Sequence, residues 1–106
     1  MPMIVQRFAS SVRNFTPEQI QQNLPGGFEA VVKRQFYDIA SVAMNPRGMA
    51  AVLNVIPPSQ LFYGSDAPFG STTRIADHLA KFPLTPAEIK AIRRENALRL
   101  FPRYAV

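Results

Sequence analysis

Proline placement sets the tightest limit on what this chain can fold into. Its 106 residues hold ten prolines, about twice the average share of roughly 5%. Proline fixes its own φ, removes a backbone donor and pushes the residue before it out of the helical region. Many short elements with hard stops are expected. Thr16-Pro17-Glu18-Gln19 reads as a helix start, with a hydroxyl cap, proline at the first helical position and glutamine at the third. Leu24-Pro25-Gly26-Gly27 breaks that helix, and a second short one is expected from Phe28 to about Arg34. Asn45-Pro46 opens another, with Met49, Ala50, Val52, Leu53 and Ile56 as its apolar stripe and Pro57-Pro58 as its stop. Ser71 or Thr72 caps the next, which turns Ile75 and Leu79 inward and closes at Phe82-Pro83. Thr85-Pro86-Ala87-Glu88 is the clearest capping box. It leads a helix carrying Ile89, Ile92, Ala97, Leu98 and Leu100, stopped by Pro102.

Two segments break the helical pattern. Residues 36–40, Phe-Tyr-Asp-Ile-Ala, and residues 60–64, Gln-Leu-Phe-Tyr-Gly, are rich in aromatic and β-branched or apolar groups and read as strands. The near-continuous apolar run of the second fits a strand buried on both faces, as in a parallel sheet. The order is helix, helix, strand, helix, strand, helix, helix. Strand, crossover helix and strand make one parallel βαβ unit. Two parallel strands leave open edges and uncovered faces, so groups such as Leu61 and Phe62 are expected to lack cover. The chain is thus expected to associate, or to form part of a larger α/β wall. It reads as a single partial domain, residues 1–106.

Composition removes several function classes. With 47% apolar and 18% charged residues the chain is not a disordered tail. Cysteine is absent, which excludes disulfide frameworks, Cys-ligated zinc and thiolate catalysis, and the single histidine excludes an all-histidine metal site in one chain. No apolar run approaches the ~20 residues that span a membrane, so a cytoplasmic chain without a membrane partner is expected. The net charge is +5, but the basic residues are spread out. Without a basic cluster, a helix-turn-helix or an aromatic stacking strand, a nucleic-acid partner is not expected. The first fifteen residues carry Arg7, Arg13 and no acid, as a mitochondrial presequence does. An amphipathic helix with Met3, Ile4, Val5, Phe8 and Val12 near a 3.6-residue spacing accounts for the same residues.

Asp66 leads the candidates for chemistry. It follows the second strand directly, and in α/β folds the carboxyl ends of parallel strands point at the active site. A carboxylate there binds a metal or takes a proton from an activated water. Spacing alone leaves a second role open, a turn aspartate in Asp-x-Pro. Asp38, inside the first strand, reads as structural, bonded to neighbouring backbone or an arginine. His78 has no second ligand at metal spacing and reads as a surface histidine. Gly26-Gly27 does not follow a strand, which argues against a phosphate cradle. Arg93-Arg94 reads as a solvated helix face, and Ser65 has no histidine near it in sequence to make it a nucleophile.

Leu61-Phe62-Tyr63-Gly64-Ser65-Asp66-Ala67-Pro68-Phe69 resembles the strand-eight motif of the amidohydrolase-related (amidohydrolase 2) family, of the aminocarboxymuconate-semialdehyde decarboxylase type. Residues 36–40 resemble the family's seventh strand, and Pro57-Pro58-Ser59-Gln60 its approach to the eighth. Ile92 with Glu95-Asn96-Ala97-Leu98-Arg99-Leu100-Phe101 resembles its closing helix, and the stretch from Met1 to Arg7 is more weakly similar to the segment after the sixth strand. The resemblance implies a fold class of α/β: the C-terminal fragment of a (β/α)8 TIM barrel, helix-rich, with two short parallel strands joined by a crossover helix. It implies a metal-dependent hydrolase or decarboxylase acting on a small carboxylic or cyclic substrate, with a divalent metal, zinc, in the complete enzyme. Asp66 then matches the strand-eight aspartate, catalytic and metal-binding. The family's histidine ligands have no counterpart here, and one carboxylate does not hold a catalytic metal that wants three protein ligands. The chain alone is accordingly expected to bind no metal and to be inactive. Its expected partners are the remainder of the barrel or a second copy. The alternative is a non-enzymatic association module that keeps the barrel remnant.

Overall fold

A computed structural model describes residues 2–105, with the side chains of residues 2–5 excepted. Met3, Ile4 and Val5, expected on the apolar face of the first helix, therefore have side chains outside the described residues. The chain divides into two compact units, Met1–Gln35 and Phe36–Val106.

The first unit is helical. It holds α1 (Pro2–Ser11), a 3-10 turn at Val12–Asn14, α2 (Pro17–Asn23) and α3 (Phe28–Val32). The Thr16 capping box forms as expected: the Gln19 amide donates to the Thr16 hydroxyl, and the Gln19 side chain accepts from the Thr16 amide at 2.9 Å. Gly26 and Gly27 both have positive φ, 82° and 87°, which the break between α2 and α3 requires. The α3 helix ends at Val32, short of the expected Arg34, whose guanidinium instead donates to the Pro25 carbonyl. Phe8 on α1 lies over Phe28 on α3 with ring centroids 6.2 Å apart.

The second unit carries the sheet. Strands β1 (Tyr37–Asp38) and β2 (Leu61–Phe62) pair in parallel, Tyr37 opposite Leu61 and Asp38 opposite Phe62. This is the expected pairing. Between them lie a 3-10 turn at Ser41–Met44, which periodicity does not suggest, and the helix α4 (Pro46–Leu53). The Asn45 side chain caps α4 by accepting from the Gly48 amide at 3.0 Å. Then come α5 (Thr72–Leu79), capped by Ser71, and α6 (Pro86–Lys90), a π-helical turn at Ala91–Glu95 and α7 (Asn96–Leu100). The last three follow one another without leaving helical dihedrals. Ile39, Ala43, Met49, Ile56, Leu61, Ile75, Leu79 and Ile92 form the buried core of this unit. The inward placement of Ile75 and Leu79 is as expected.

Both strands are shorter than the five residues expected, and the side of β2 away from β1 is held by the closing helix. In a parallel strand one residue directs its N–H and C=O to one side and the next residue to the other. Phe62 faces β1, its carbonyl accepting from the Ile39 amide at 3.0 Å. Leu61 and Tyr63 therefore face away from β1. There the Tyr63 amide donates to the Ile92 carbonyl at 2.9 Å, and Nδ2 of Asn96 donates to the Leu61 carbonyl at 2.8 Å. The closing helix takes these two bonds on the side of β2 away from β1. In the π turn the Asn96 amide reaches back to Ala91 rather than to Ile92. This corrects the expectation that Leu61 lacks cover and that both edges stand open. Leu61 is 0% exposed beneath this helix, while Phe62 is half-buried and stacks on Phe36 with centroids 4.9 Å apart.

The Thr85 capping box yields a prediction in acid. The Thr85 amide donates to Glu88 at 2.7 Å and the Thr85 hydroxyl at 2.9 Å. These bonds hold the Glu88 carboxyl below its ordinary value of 4.5. A depressed folded pKa contributes stability above the unfolded value, and that stability is lost as pH falls through the folded one. The Thr85 and Glu88 amides, which the box binds, are expected to lose protection from exchange on acidification, with the titration centred below the usual carboxylate range. Glu88→Gln should remove this pH dependence, read by NMR at the Thr85 amide.

Candidate functional site

The parallel strands end side by side, and the loops that leave them form the site. After β2 the chain passes through Tyr63, Gly64 and Ser65 to Asp66. Asp66 sits in the left-handed region at φ 55°, a conformation that aspartate tolerates better than most residues. The Gly70 amide donates to the Asp66 carbonyl at 2.8 Å and closes the loop. Gly70 is required here by space: a Cβ on it would lie 1.9 Å from the Ser65 carbonyl oxygen. That obstacle is backbone and does not rotate away. Gly70→Ala is expected to cost about 1–3 kcal/mol of stability through overpacking, and to shift the amide resonances of residues 65–71 first. Urea titration and NMR check the two parts.

Asp38 ends β1. Its Oδ1 accepts from the Ala40 amide at 2.6 Å, the structural role expected of it, although the residue is exposed rather than enclosed. The Asp38 carboxylate lies flat against Gly64, where a Cβ would come within 1.7 Å of Oδ2. Gly64 thus leaves room for the Asp38 carboxylate between the two strand ends.

Tyr63 ties the site together. Its amide is held by Ile92, and its phenol donates to the Thr72 carbonyl in the first turn of α5. The Ser71 hydroxyl accepts from the Arg74 amide at 3.4 Å. A cleft of about 460 Å³ opens between the strand ends and α5, lined by Ser41, Ser65, Asp66, Phe69, Arg74 and Ile75 among others. Phe69 stands at 90% exposure. Among the described residues neither the Asp66 carboxylate nor the Arg74 guanidinium has a hydrogen-bond or ion-pair partner.

Of the residues considered from sequence, Asp66 and Ser65 line this cleft. His78 lies in the last turn of α5, half-buried, and is not among the cleft residues. Arg93 and Arg94 are exposed on the closing helix, as expected of a solvated face. Tyr63 and Arg74 carry no signal in the sequence: a tyrosine in a strand reads as β-propensity, and Arg74 stands eight positions from Asp66 in no motif. Among the described residues no three His, Cys, Asp or Glu side chains come together. By themselves these residues do not fit a catalytic metal. Also among the described residues, no helix is long and apolar enough to cross a membrane.

Neither the curated proteins nor the solved structures compared with the chain give a match. The family model for amidohydrolases matches residues 25–103. That span holds both strands, the Asp66 loop and the closing helix with Asn96, and it leaves out the weaker likeness at Met1 to Arg7. On this match over most of its length, the chain belongs to the amidohydrolase family.

Proposed function

We propose that this chain is the C-terminal segment of a metal-dependent hydrolase or decarboxylase of the amidohydrolase superfamily, of the aminocarboxymuconate-semialdehyde decarboxylase type. Its substrate is small, carboxylic or cyclic. The observation that carries this reading is the position of Asp66, in the loop that leaves the carboxyl end of a parallel strand and on the wall of a cleft, inside the stretch matched to the family. Two parallel strands and their helices make up the end of a (β/α)8 barrel in this reading. Asp66 would contribute a carboxylate that takes a proton, or would supply one oxygen to a divalent metal, zinc, whose other ligands would come from elsewhere in the barrel.

Alone, the chain is inactive and associates with the remainder of the barrel or with itself. Exposed Phe36, Phe69, Leu100, Phe101 and Tyr104 support that part of the reading. Calorimetric titration of the whole chain with zinc tests the division of ligands. The expected result is no binding tighter than micromolar, unchanged in Asp66→Asn. Submicromolar binding that Asp66→Asn abolishes would show a metal site built by this chain itself or across its oligomer.

A further inference from the structure

The cleft beside Asp66 holds one more charged group, and its state is informative. Asp66 and Arg74 line the same hollow with opposite charges, yet no ion pair joins them. The backbone of each is placed by structure, and neither charged group is engaged by another side chain. Arg74 rides on the first turn of α5, which Tyr63 binds to the strand end and which Ile75 and Leu79, 3% and 0% exposed, anchor from below. Asp66 is fixed by its own loop, closed at Gly70. Ser41 and Ser65 add hydroxyls, and Phe69 and Ile75 add apolar surface to the same hollow.

We infer that Arg74 is a specificity-determining residue, binding the carboxylate of an apolar-bodied ligand whose reacting end then lies toward Asp66. The inference rests on the proposed function for the identity of that reacting end, but the anion-binding part is a property of this chain. Guanidinium pairs with carboxylate through two parallel N–H···O bonds, which orients the ligand as well as attracting it. Asp66 opposes any anion that enters the wrong way round, since like charges in one cleft repel.

The test is NMR titration of the full-length chain with benzoate, and separately with benzamide, at constant ionic strength. Benzoate is expected to give saturable shifts confined to residues lining the cleft, with a dissociation constant of about millimolar order. Benzamide should give none. Arg74→Gln should weaken benzoate binding about tenfold and Arg74→Lys less, because the lysine keeps the charge but loses the fork. Asp66→Asn should tighten it by relieving repulsion. Arg74 is exposed on a helix, so these variants should fold, and their spectra away from the cleft report it. Equal binding by Arg74→Gln, equal binding of benzamide, or shifts centred on Arg93 and Arg94 would overturn the inference. Arg74-dependent binding in a chain whose Asp66 proves dispensable for turnover in a complete enzyme would uphold the anion cleft and overturn the functional reading alone.

Discussion

Asn96→Leu is expected to lower the stability of residues 36–106 by about 3 kcal/mol, a large part of what a small domain holds. Asn96 is 2% exposed, and its amide nitrogen donates to the Pro58 and Leu61 carbonyls, each at 2.8 Å. Its Oδ1 accepts from Arg99, whose guanidinium also donates to the Ser59 carbonyl at 2.7 Å. Leucine has the same branching but is larger and donates nothing, so the buried Leu61 carbonyl and the half-buried Pro58 carbonyl lose their partner and the site is overfilled. Unsatisfied buried acceptors cost about 1–3 kcal/mol each. The same change frees the outer edge of β2 at Leu61, and an open edge recruits other strands. Urea denaturation should show the lower midpoint, and sedimentation velocity should show more self-association than the parent chain. A loss under about 0.5 kcal/mol, the scatter of ordinary surface changes, would mean that Asn96 does not hold the strand.

Much of this architecture is legible from local chemistry. The capping boxes at Thr16 and Thr85, the Asn45 cap and the proline stops act over three or four residues, so sequence neighbours are enough to read them. The parallel pairing follows from element order. The closing helix is another matter. Ile89, Ile92 and Leu100 announce a helix, but nothing in their spacing announces a π turn at Ala91–Glu95. That turn answers to the Tyr63 amide, twenty-nine positions away from Ile92. The burial of Leu61 escapes a sequence reading for the same reason: its cover comes from a helix about thirty residues downstream. At the site, Asp66 is legible because it follows an apolar strand directly. Its neighbour Arg74 is not, because the cleft that unites them exists only once Tyr63 has joined β2 to α5.

The position of Asp66 carries the functional account, and its carboxylate is the group to remove. Asp66→Asn keeps the side chain's size, and asparagine tolerates the left-handed φ of 55° as aspartate does. The carboxylate makes no hydrogen bond among the described residues, so its loss leaves none unpaired. The variant is therefore expected to melt with the parent. What it loses is a proton acceptor, since an amide has no basic oxygen at neutral pH. General acid–base groups contribute about a hundred- to ten-thousandfold to rate. The most direct measurement is turnover by a complete family enzyme that carries residues 36–106 as its own C-terminal part, compared with the same enzyme bearing Asp66→Asn. The expected result is a fall in kcat of about that size with an unchanged melting curve. Turnover equal to the parent's in a folded Asp66→Asn enzyme would contradict it.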